Sequence, residues 1–249
     1  MAVTGAPDSG PARFPATRVS LIEALGAPDP AIRLPAYEAL VGVYWKPVYK
    51  YLRVARRFDH DDAEDLTQDF FARAFEKDSL ASFDPSIARF RTFLRVCLDR
   101  FAANAVKARS RLKRGGGQAR VSLDPAELET IAADATRAAD PEVYFRREWV
   151  RALFEGALEA VSADYRSRGK DTQLAVFLAY DIEPPDDGRR PKYDELAARF
   201  GVPVTQITNY LAAARRAFRR EALERLRAVT GSDEEFAAEA RDLFGVDAA

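Results

Sequence analysis

The chain has 249 residues, 47% of them apolar and 31% charged, with a net charge of −1. That length allows one large domain or two modest ones with cores of their own, and no uncharged apolar run approaches the ~20 residues a membrane-spanning helix needs. The single cysteine, Cys97, excludes an intrachain disulfide, and the single histidine, His60, leaves too few ligands for a closed zinc site and too few partners for a Ser-His-Asp or Cys-His machine.

Neither a catalytic residue nor a metal or other cofactor is expected. The first fifteen residues carry Pro7, Pro11 and Pro15 without a basic-then-apolar leader pattern, so a cytoplasmic location is expected. The near-zero net charge hides strong segregation. Residues 59–69 hold Asp59, Asp61, Asp62, Glu64, Asp65 and Asp69 with no cation, whereas 89–120 hold ten Lys or Arg against Asp99 alone. A second basic cluster, Arg215, Arg216, Arg219 and Arg220, precedes an acidic C-terminal stretch.

Apolar residues recur at three and four, as in Tyr37, Leu40, Val41, Tyr44 and Val48, and period-two alternation is scarce, so the fold is expected to be all-α. Pro and Gly clusters punctuate the chain. They suggest an N-terminal extension over 1–32, partly disordered, a helical domain over 33–115, a flexible linker over 116–140 beginning in Gly115-Gly116-Gly117, a second helical domain over 141–228, and an acidic tail over 229–249.

The stretch from Asp62 to Lys77 opens with acids that suit a helix N-terminus, and Ala63, Leu66, Phe70 and Ala74 fall on one stripe. Its acids read either as capping and a solvated edge or as a protein-docking face. A calcium loop is disfavoured because Glu64 stands where the turn needs glycine. The next helix, about Arg89 to Arg114, buries Phe90, Phe93, Leu94, Cys97, Phe101 and Ala108; Arg89, Arg100, Asn104, Lys107 and Arg111 line one edge, and Arg91, Arg95 and Arg109 the other. Such a helix suits a phosphate backbone or is simply a solvated basic face.

The segment YDELAARFGVPVTQITNYLAAARRAFRR, Tyr193 to Arg220, places Gly201 between two helices, the second with Ile207, Leu211, Ala214 and Phe218 inward. Opposite stand Thr205, Asn209, Ala212, Ala213, Arg216, Arg219 and Arg220. Hydrogen-bonding groups, small residues and then cations make a recognition helix for a major groove, with an ordinary αα-hairpin as the alternative.

DAEDLTQDFF (Asp62 to Phe71) followed by ARFRTFL (Ala88 to Leu94), a basic helix, a linker and a C-terminal helix-turn-helix resembles a bacterial sigma-70 family RNA polymerase sigma factor of the extracytoplasmic-function type, over roughly residues 34–225. The resemblance implies a transcription initiation factor and no enzyme. Its implied partners are core RNA polymerase, through the clamp helices of the largest subunit, and promoter DNA; an anti-sigma factor is a further partner common among such proteins. Asp61, Asp62, Glu64, Asp65, Leu66, Gln68, Asp69 and Phe70 match the polymerase-docking element. Arg89, Phe90, Arg91, Phe93, Arg100, Asn104, Lys107 and Arg111 match the segment that reads and melts the −10 element. Thr205, Gln206, Thr208, Asn209, Tyr210, Arg215, Arg216 and Arg219 match the −35 recognition helix.

Four positions depart from the family pattern. Phe93 stands where a tryptophan is common, and Tyr210, Ala212 and Ala213 replace more basic or histidine residues, so no promoter sequence carries over. The alternative function is a polymerase-independent helix-turn-helix regulator, which leaves the acidic helix without a role. An enzyme built on carboxylates near His60 lacks the ligands and base it would need. The acidic tail could also act in cis by covering a basic surface.

Overall fold

The computed structural model describes residues 21–76, 80, 82–113, 140–183 and 189–245, with residues 76 and 108–113 as backbone only. Residues 1–20, the linker between 114 and 139, and the end of the chain from 246 therefore lie outside the described residues. Among the described residues every regular element is helical.

Local chemistry sets the helix starts. Helix α1 (Leu21–Leu25) leads into α2 (Pro30–Val54), where Asp29 Oδ1 accepts the Ala31 N–H at 2.9 Å and Pro30 supplies a preset φ. Helix α3 (His60–Glu76) starts where Asp59 accepts the Asp62 N–H at 2.8 Å. Helix α4 spans Phe90–Lys113 and α5 spans Pro141–Ser167, the latter capped by Asp140, which accepts from Glu142 N–H at 2.8 Å. Helix α6 (Asp171–Phe177) runs into a π-helical turn at Leu178–Ile182, followed by α7 (Tyr193–Phe200) and α8 (Val204–Arg227). Gly201 ends α7 at φ 65°, a conformation glycine takes without Cβ strain.

The last helix, α9 (Asp233–Phe244), corrects an expectation. The acidic stretch read as a tail folds instead, because Ser232 accepts the Glu235 N–H at 3.1 Å and Phe236 and Ala240 are buried. Five acids within a short stretch looked solvated, yet two of them, Glu235 and Glu239, point inward onto arginines and N–H groups described below.

The core also runs across the boundary expected at the glycine triplet. Helix α5 serves two clusters: Tyr144, Phe145, Trp149 and Leu153 join the core of α2, α3 and α4, while Val161 and Tyr165 pack with Leu174, Phe177 and Ala214. Tyr44 of α2 stacks on Phe145 and Trp149 at 6.4 Å, and Tyr51 meets Phe145 edge-on at 5.6 Å. At the seam Lys50 Nζ donates to the buried Glu148 carboxylate at 2.8 Å. A third cluster, Val176, Ala179, Leu196, Ile207 and Leu211, fixes α7 against α8.

Candidate nucleic-acid interface

Helix α3 presents a mostly charged outer face. Ala63, Thr67, Phe70 and Ala74 are buried, so Asp61, Glu64, Asp65, Gln68 and Asp69 are left exposed. Asp62 and Leu66 are half-buried at its edge. Phe70 is the exception among the residues expected to dock: it packs edge-on against Phe71 and Phe101 at 5.4 and 5.6 Å and belongs to the core. His60 sits at the surface with Tyr49 Oη 2.7 Å from Nδ1, and no group of metal-ligating residues occurs among the described residues.

Helix α4 divides along its length. Its outer edge carries exposed Arg100, Asn104 and Lys107. Its N-terminal half is turned inward. Arg91, expected at a DNA surface, is 8% exposed: its Nε donates to Glu239 at 2.8 Å and its Nη1 to Glu142 at 3.3 Å, over the Trp149 ring. Arg95 donates to Glu142 and, at 2.6 Å, to Asp99. Asp99 also accepts from Tyr51 Oη at 2.7 Å and from Arg56, whose guanidinium it holds more firmly protonated. Thr92 Oγ1 adds a third donor to Glu142 at 3.0 Å. The edge of Arg91 and Arg95 thus anchors α4 to α5 by charge-assisted hydrogen bonds.

The very start of α4 is held by α9. Glu235 Oε1 accepts the Phe90 N–H at 2.7 Å and Oε2 the Gly231 N–H at 2.8 Å, capping α4 from another helix. Burial pushes the Glu235 carboxyl above its usual range, against the pull of those two N–H donors. Arg89 lies 3.0 Å from Glu239 and 2.9 Å from Asp242, and its hydrogen bond holds the Asp242 carboxyl below the usual range. Gly231 abuts Phe83 so closely that a Cβ would stand 2.2 Å from the ring.

The aromatic residues differ in the same way. Phe90 is fully buried and meets Phe83 edge-on at 5.3 Å; Phe93 is half-buried beside Phe83 and keeps part of its ring at the surface. The sequence pattern could not separate the two, since both lie on the apolar stripe. Arg111 has no described side chain.

Helix α8 keeps its polar N-terminal end open. Ile207, Leu211 and Ala214 are buried, while Thr205, Gln206, Thr208 and Asn209 are exposed and Tyr210 is half-buried beside the α7 cluster. Further along, Arg216, Arg219 and Arg220 are exposed. Arg215 is engaged: its Nε and Nη2 donate to Asp181 of the π-helical turn at 2.8 and 2.9 Å, and its guanidinium lies 5.4 Å from the Tyr180 ring. Asp181, Glu142, Glu239 and Asp242 are partners that sequence reasoning missed, because each is distant in sequence from the arginine it meets, as Glu235 is from the Phe90 N–H.

No helix is long and apolar enough to cross a membrane among the described residues. Neither a curated protein nor a solved structure matches the chain. Residues 44–112 match the family model of sigma-70 region 2, a span that takes in the second half of α2, all of α3 and nearly all of α4, and this match supports a sigma-70 family sigma factor with a role in transcription initiation.

Proposed function

We propose that the protein is a transcription initiation factor of the extracytoplasmic-function type, which docks core RNA polymerase through the outer face of α3 and directs it to promoters. The observation that carries this reading is the separation of charge within the segment similar to sigma-70 region 2: acids exposed on α3, cations and an amide exposed on α4. A DNA-binding protein gains nothing at its DNA surface from Asp61, Glu64, Asp65 and Asp69, whereas a basic protein partner would be steered by them. On α4, Arg100 and Lys107 are placed for phosphates, Asn104 for a base edge and the surface part of Phe93 for stacking with an unpaired base. On α8, Thr205, Gln206, Thr208 and Asn209 suit base edges of the −35 element, and Arg216 and Arg219 its phosphates. The chain supplies no covalent chemistry; promoter opening is driven by capture of unstacked bases and phosphate contacts.

Co-purification with bacterial core RNA polymerase freed of its own sigma tests the reading. Retention of the intact chain, lost in the Asp65→Arg, Gln68→Ala double variant, is expected. No retention of the folded intact protein would replace this reading with that of a polymerase-independent DNA-binding regulator.

A further inference from the structure

The flank of α8 carries a polar contact that the packing of its inner stripe does not require. Helix α6 does not end as an α-helix: it widens into the π-helical turn Leu178–Ile182, an irregularity that often accompanies a functional constraint. The turn keeps Ala179 in the cluster of Ile207 and Leu211 and sets Asp181 against the side of α8. Asp181, 16% exposed, receives the Arg215 guanidinium as a fork, Nε at 2.8 Å and Nη2 at 2.9 Å, and that guanidinium lies over the Tyr180 ring at 5.4 Å. Arg190 lies over the same ring at 5.2 Å, and the Tyr193 ring of α7 meets it at 5.3 Å. The end of α6, the start of α7 and the middle of α8 therefore meet at one ring and one carboxylate.

The contacts that hold the first half of α8 from beneath are apolar, Ile207 and Leu211 against Val176, Ala179 and Leu196. Such contacts are non-directional, so they seat the helix without fixing its roll about its own axis. A roll of ~10° moves a side-chain tip ~6 Å from the axis by about 1 Å, enough to take a hydrogen bond out of range. The fork on Asp181 is directional and resists that roll. It also compensates the charge of Arg215, whereas Arg216, the next residue, stands exposed. We propose that Asp181 and Arg215 are positioning residues: the pair fixes the roll of α8, and so sets which base edges Thr205, Gln206, Thr208 and Asn209 reach, without touching DNA itself. This inference rests on the reading of α8 as a recognition helix.

Lysine separates this role from a phosphate contact, because it keeps the charge but offers neither the two-pronged donation nor the stacked plane. Full-length variants are compared in two assays, with circular dichroism as the check of folding. In the first, holoenzyme rebuilt with bacterial core polymerase selects from a duplex library randomised over the upstream promoter element, and discrimination is read as enrichment of the best sequences over the median. Arg215→Lys and Asp181→Asn are each expected to lower discrimination about tenfold, within what one base-reading side chain supplies. The double variant should lose no more than either single one, since both remove the same contact. In the second assay, each isolated chain binds a fluorescein-labelled duplex of mixed sequence over a range of salt. Arg216→Ala is expected to lower the slope of log affinity against log salt by about one, and Arg215→Gln to leave it unchanged. Full discrimination by Arg215→Lys, or a slope lowered by Arg215→Gln as much as by Arg216→Ala, would overturn the proposal. A slope lowered by neither would remove DNA recognition by α8, and the proposal with it. If the folded, unsubstituted chain is not retained by core polymerase, the initiation reading fails, and the salt slopes still decide whether Arg215 touches phosphate.

Discussion

Helices α4 and α8 both carry the cations and amides that suit DNA, and the protein treats them differently. On α8 the polar N-terminal residues and Arg216 look outward because its neighbours cover the other face, the stripe of Ile207, Leu211, Ala214, Ala222 and Leu226. On α4 the first two turns lie between α5 and α9, and three arginines there meet carboxylates instead of solvent. A basic helix face is thus open to solvent only where no other part of the chain packs anions against it. Position in the packing decides, not composition.

The sharpest way to break this contrast is to remove an arginine from each helix. Arg91→Ala leaves the fully buried Glu239 without its closest guanidinium, and a loss of about 3–5 kcal/mol in urea unfolding is expected. Arg216→Ala, at an exposed position, is expected to stay within about 0.5 kcal/mol of the parent in the same assay. Equal costs would mean that α4's arginines are surface groups after all.

A smaller effect concerns specificity. Asn209→Ala should cost about 1–3 kcal/mol of promoter binding when the polymerase complex is assayed, confined to one −35 base pair and without change in the unfolding midpoint. A loss spread evenly over all sequences would make Asn209 a phosphate contact.

The smallest effect is acid sensitivity at the α9 seam. Asp242 has its carboxyl lowered by Arg89, so the folded form binds fewer protons than the unfolded chain near the usual carboxylate pKa. Its contribution is therefore fully present above about pH 4 and lost as pH falls through the lowered value. Asp242→Asn should be less stable than the parent at neutral pH, the difference closing on acidification; thermal unfolding across that range measures it. A gap that stays constant would show that Arg89 does not favour the charged form.

Much of this is legible in the sequence alone. The all-helical fold, the stripe of Ala63, Phe70 and Ala74, and the inward set of Ile207, Leu211 and Ala214 follow from period alone, because each depends only on neighbours one turn away. The exposure of Asp61, Glu64, Asp65, Gln68 and Asp69 on the opposite face follows from the same stripe. Long-range pairing did not: Glu239 meets Arg91 across 148 positions and Asp242 meets Arg89 across 153, and no local pattern marks a carboxylate that will turn inward. Phe70 shows the complementary difficulty, since one residue sat both on the apolar stripe and in the docking motif, and burial prevailed.

Helix α5 has a consequence for how the molecule comes apart. Its first half completes the packing around Tyr44 and Tyr51, while its second half completes the packing around Ala214, so neither half of the chain is a free-standing unit. A proteolytic fragment ending before residue 140 would leave the aromatic faces that receive Phe145 and Trp149 open to water. Heating should accordingly melt the two clusters together in a single calorimetric transition, with α5 as the shaft that transmits loss of order from one end of the protein to the other.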